Sequence, residues 1–248
     1  MLSWARNTFE LQAGDRSRLL PMEGLRGFAV ILVFLHHYSV QAHSIGLPPG
    51  PAAVTAAALH NYGNVGVELF FTLSGFLIYG TLVRHAPPFG SFMARRIQRI
   101  YPAYLAVLLF ALALSVFGPG TRLLANPVHA IPLVLANVAL LPGLFPIPPI
   151  VAVAWSLSYE LFFYVAIAAV VLGAGLGVRS RGYRLTLLAG ASLLFTIAGF
   201  AELPGYPIRM MPFFAGMFLA EGVGARIPGW LALVAAIAGF LASATHAF

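Results

Sequence analysis

Arg26 and His37 lie 11 residues apart in one largely apolar stretch of the sequence. At 100° per residue that separation is three turns plus roughly 20°, so a helix puts both side chains on one face, about 16 Å apart along its axis. The adjacent His36 is turned roughly 80° from the Arg26 face, which leaves His37 as the functional candidate of the two. An ionisable side chain at membrane depth costs at least ~2.5 to 3.5 kcal/mol to insert, so each one is a candidate for function. The plainer role for His37 is a hydrogen bond to a neighbouring helix.

Two carboxylates stand in similar settings. Glu68 opens the run Gly66-Val67-Glu68-Leu69-Phe70-Phe71, followed by Ser74 and Gly75. Glu68 is either a functional carboxylate or an acid at the membrane surface, while Ser74 and Gly75 make a small-residue spot where a second helix or a ligand can approach. Glu160 follows Trp155-Ser156-Leu157-Ser158-Tyr159 and lies well inside an apolar run. Trp155 suits an interface anchor. A carboxylate as deep as Glu160 needs a partner, and His37 and Arg209 are the candidates; pairing with Arg209 would be structural, pairing with His37 catalytic.

A third concentration is Arg95-Arg96-Ile97-Gln98-Arg99-Ile100-Tyr101-Pro102. Arg96 and Arg99 share a helix face by their i, i+3 spacing, and Pro102 suits the first turn of a following span. Guanidinium forks match phosphate oxygens in pairs, whereas the simpler role for such a cluster is contact with lipid headgroups.

The elements that position these residues follow from composition. The 248 residues are 60% apolar and 8% charged, a balance that leaves a soluble fold too little polar surface and makes lipid the solvent for most of the chain. All 14 basic residues are Arg, and there is neither Lys nor Cys. That excludes thiol nucleophiles, disulfides, Schiff-base lysines and a P-loop lysine, and adjacent histidines on different helix faces make a poor metal site, so no metal is expected. The net charge of +7 does not point to nucleic acid, because the arginines lie in short clusters between apolar runs.

Eight apolar runs are legible, near residues 24–42, 64–83, 101–118, 128–142, 151–173, 184–201, 206–221 and 229–247. The expectation is an all-α polytopic transmembrane bundle forming one domain over 1–248, with about seven full spans. The run 128–142 contains His129, Pro132 and Asn137 and is too short to cross, so it is expected to be re-entrant or interfacial. Arginines at 6, 16, 18 and 26 and again at 84, 95, 96 and 99, with none between 43 and 64, place the N-terminal segment 1–20 in the cytoplasm. If 128–142 does not cross, Arg179, Arg181 and Arg184 return to that same side. No cleavable signal peptide is evident.

Together these stretches resemble the acyltransferase 3 family of membrane acyltransferases. The matching residues are Glu23-Gly24-Leu25-Arg26-Gly27 running into His36-His37, Gly66 to Phe71 with Leu73 to Ile78, Arg95-Arg96 through Pro102, Trp155 to Ser158 with Glu160, and more weakly Arg209 with Phe213, Phe214 and Gly216. The resemblance implies transfer of an acyl group, most often acetyl from acetyl-CoA, to a hydroxyl of a carbohydrate or related acceptor in a bacterial envelope or exported glycan, in the inner membrane. It puts the donor phosphates on Arg96 and Arg99, with Arg26, Arg95 and Tyr101 assisting. His37 becomes the general base, or a transient acyl carrier; Glu160 or Glu68 orients it, and Ser158 or Ser74 donates to the oxyanion. Glu68 departs from the family, whose members commonly have Asp there. The chain is also expected to be two or three helices short of the family's domain, as a fragment or as a short member that completes its bundle by oligomerising.

Two rivals belong to other classes. One is a proton-coupled transporter or channel with a path through His37, Glu68, Glu160 and Arg209. The other is an inactive, truncated family member.

Overall fold

The computed structural model describes residues 16–44, 50–62, 65–117, 127–201 and 207–223. Among them, regular structure is helical: α1 Arg16–Ser44, α2 Pro51–Tyr62, α3 Val65–His85, α4 Phe89–Phe117, α5 Pro127–Val138, α6 Ala154–Gly173, α7 Arg181–Phe200 and α8 Met211–Val223, with short 3₁₀ turns at Leu176–Val178 and Pro207–Met210. Helices are the natural choice in lipid because they satisfy their own backbone donors and acceptors.

Seven full spans were expected, and four helices among the described residues are long and apolar enough to cross a membrane: α3, α4, α6 and α7. The run 229–247 lies outside the described residues. The short segment expected at 128–142 is α5, with 12 residues. Pro102 corrects an expectation, because α4 runs unbroken through it rather than starting a span there.

Two compact units divide the chain, Met1–Leu73 and Ser74–Phe248, with α3 continuing through the division. In the first unit, α1 packs its Ala29, Leu32 and Val33 side on the start of α3. Gly66 permits this approach, since a β-carbon there would come within 2.7 Å of the Ala29 carbonyl oxygen. Phe28, Val30, Ile31 and Phe34 of α1 remain exposed, as apolar residues facing lipid would.

In the second unit, α4 and α6 lie antiparallel. Phe92, near the start of α4, meets Tyr164 in the middle of α6, with ring centroids 6.4 Å apart. Further along α4, the Tyr104 hydroxyl donates to the Asn137 carbonyl at 2.8 Å. Asn137 is fully buried and holds the connection from α5 to α6. Its Nδ2 donates to Leu133 O at 2.9 Å and to Pro148 O at 3.2 Å, and its Oδ1 accepts from Ile150 N at 2.8 Å. Tyr104 and Asn137 thus join α4 to the end of α5 beside the entry to α6. At the opposite end, Gly177 sits against the Val83 carbonyl oxygen, where a β-carbon would come within 2.8 Å. This contact brings the Arg179 to Arg184 stretch to the Arg84 end of α3.

Candidate functional site

The first unit holds Arg26, His37 and Glu68. On α1 the seam toward α3 includes Ala29 and Val33, and the buried Ser39 lies further along, its hydroxyl donating to His36 O at 2.7 Å. Arg26 is half-buried and His37 exposed, while His36 is half-buried. His36 and His37 meet edge to face, with ring centroids 5.5 Å apart. The Nδ1 of His37 lies 2.9 Å from Val33 O. A carbonyl can only accept, so Nδ1 carries the hydrogen, and in the neutral ring Nε2 presents a lone pair. Glu68 is buried in the first half of α3, where its own carbonyl accepts from the Thr72 hydroxyl at 2.9 Å.

The second unit holds the other carboxylate. Ser74 lies halfway along α3 and donates to Glu160 Oε1 at 3.3 Å. Tyr164, one turn beyond Glu160 on α6, donates to the same oxygen. The guanidinium of Arg96 reaches inward, its central carbon 5.5 Å from the Phe92 ring centroid and 5.7 Å from that of Tyr164. Its Nε is buried and has no hydrogen-bond partner among the described residues.

Ser74 and Gly75 therefore divide the two roles open to them. Gly75 packs directly on the Phe213 carbonyl oxygen, as a helix seam requires, and Ser74 turns toward α6. Arg95 and Arg99 are exposed, unlike Arg96, and Tyr101 is half-buried with its ring edge-on to Tyr104 at 6.5 Å. Ser158 is buried and donates to Ala154 O at 2.9 Å. Arg209 lies over the Trp155 ring, 4.7 Å from its centroid, and Glu160 takes its hydrogen bonds from Ser74 and Tyr164.

Several of these residues carry no motif in the sequence. Tyr164 could have been found from its i, i+4 spacing to Glu160, which puts both on one helix face. At the arginine-rich end, Glu221 of α8 is gripped by Arg184 of α7, with Nε to Oε1 at 2.5 Å and Nη2 to Oε2 at 2.9 Å. The Tyr79 hydroxyl of α3 donates to Glu221 Oε1 at 2.5 Å, and Arg181 donates to the Glu221 carbonyl at 2.9 Å. An acid ending an apolar run, opposite an arginine-rich loop, was the available signal.

A family model described as an acyltransferase domain matches residues 21–248. The chain is 31% identical over 141 residues to the exopolysaccharide production protein ExoZ of Rhizobium meliloti (strain 1021), covering 55% of this chain and 41% of that protein. It is 32% identical over 157 residues to the acyltransferase MdmB of Streptomyces mycarofaciens, covering 59% of this chain and 38% of that protein. The chain thus spans about two-fifths of the length of these curated relatives. No solved structure matches it. With inward-turned Arg and carboxylate groups on apolar helices, and a match over nearly its whole length, the chain belongs to the acyltransferase 3 family of membrane acyltransferase domains.

Proposed function

We propose that the chain transfers an acyl group, acetyl in the first instance, from cytoplasmic CoA to a hydroxyl of a carbohydrate or related acceptor. The observation that carries this proposal is the His37 ring. With Nδ1 committed to Val33 O, Nε2 has the free lone pair that a general base needs, and the ring's exposure lets an acceptor hydroxyl reach it. Nε2 takes the hydroxyl proton as the oxygen attacks the thioester carbon. The C–O bond forms, the C–S bond breaks, and the proton passes to the departing CoA thiolate.

Arg96 and Arg99, with Arg26, Arg95 and Tyr101, bind the donor through its phosphates. The family membership supports the reaction class, and the name of the Rhizobium relative favours a glycan acceptor. Purified protein in detergent, given radiolabelled acetyl-CoA and a panel of glycans, should release CoA and label the acceptor. His37→Ala should lose labelling by at least about 10²-fold while still binding CoA. Arg96→Ala should weaken donor binding. Full labelling by His37→Ala would remove the base from this scheme.

A further inference from the structure

Glu160 is held unevenly. Both of its hydrogen-bond donors, Ser74 and Tyr164, go to Oε1, and no described residue donates to Oε2. The residue is half-buried rather than sealed, so Oε2 stays within reach of a bound group. Of the two donors, Tyr164 is the rigid one. It is 2% exposed, its ring is packed edge-on to Phe92 and against Phe163 at 6.1 Å between centroids, and the Arg96 guanidinium lies over it. Ser74 holds its place because Gly75, its neighbour, is pressed on Phe213 and sets the rotation of α3.

We infer that Tyr164 is a positioning residue: it pins one oxygen of the Glu160 carboxylate so that the other is presented, in a single orientation, to the group undergoing reaction. A glutamate side chain has three rotatable bonds, and a carboxylate free to swing would have to be ordered anew in each turnover. The packed phenol removes that freedom beforehand. The inference rests on the acyl-transfer proposal for its consequence, but the contact itself can be tested separately.

The test uses the full chain in detergent, with two readouts on Tyr164→Phe, which removes only the hydroxyl and leaves the ring for Phe92 and Arg96. The first is the infrared carboxylate stretch of Glu160, assigned by its loss in Glu160→Gln; with seven acidic residues in the chain the assignment is tractable. The second is steady-state acetyl-CoA turnover. The expected result is a shifted Glu160 band and a kcat lowered by up to about 10²-fold, with KM for acetyl-CoA unchanged. Combining Tyr164→Phe with Glu160→Gln should lower kcat no further than Glu160→Gln alone.

An unshifted band overturns the inference, and so does a shifted band with unchanged kcat, or a loss confined to KM. If Tyr164→Phe does not fold, Ser74→Ala must give the same changes at smaller size, or the inference falls. If the wild-type protein does not turn over acetyl-CoA, the acyl-transfer proposal falls, and the infrared band still decides whether Tyr164 holds Glu160.

Discussion

Gly75 meets the carbonyl oxygen of Phe213 so closely that no β-carbon fits between them. Around this contact α3 and α8 pack backbone to backbone, and Phe213 stacks on Phe163 of α6 with centroids 4.3 Å apart. Gly75→Ala should cost about 1 to 3 kcal/mol of stability, because the obstacle is backbone and cannot swing aside. Gly190 of α7 has open space around it, so Gly190→Ala should leave the melting temperature unchanged or slightly raised. Thermal melting in detergent, followed by size-exclusion chromatography, distinguishes the two.

Arg184 and Glu221 should show the asymmetry of a buried ion pair. The Glu221 side chain is 4% exposed and that of Arg184 15%. Arg184→Met removes the two-nitrogen partner but leaves the carboxylate with Tyr79 and, at 3.6 Å, Arg181, so it should cost about 3 kcal/mol, and adding Glu221→Met should recover part of the loss. Arg184→Lys should recover little, because an ammonium cannot reproduce the two-nitrogen fork. Denaturant or thermal unfolding of the four proteins checks the order.

Arg96 and Arg99 should separate on replacement by Lys. Arg96 lies over two aromatic rings, while Arg99 is exposed. Arg96→Lys should lower stability by about 1 kcal/mol, since Lys lacks the planar face, and Arg99→Lys should leave melting unchanged. Equal melting temperatures for both variants would contradict the inward placement of Arg96.

The course of α5 can be checked by thiol labelling. The chain contains no Cys, so one introduced residue is the sole thiol. Val178 is exposed at the arginine-rich end and Phe145 is exposed in the connection before α6. In sealed vesicles, Val178→Cys and Ala86→Cys should react with an impermeant maleimide from one side and Phe145→Cys from the other. Labelling of positions 86 and 145 from the same side, with 178 on the other, would mean that α5 crosses the membrane.

Much of this was legible in the residues alone. Helical class and membrane residence follow from composition, because 21 charges among 248 residues cannot clothe a soluble fold. The short α5 follows from the length of its apolar run.

What the sequence by itself determined is local: periodicity, length and charge act along one helix and can be counted. Only the tertiary structure decided that Gly75 is a seam while Ser74 turns to Glu160, that Tyr164 and not Arg209 satisfies that carboxylate, and that Arg184 clasps Glu221. Those hydrogen bonds join residues as many as 86 positions apart. Which of several compatible partners a buried polar group finds depends on how helices rotate and press together, and that rotation is set by close contacts that no single helix contains.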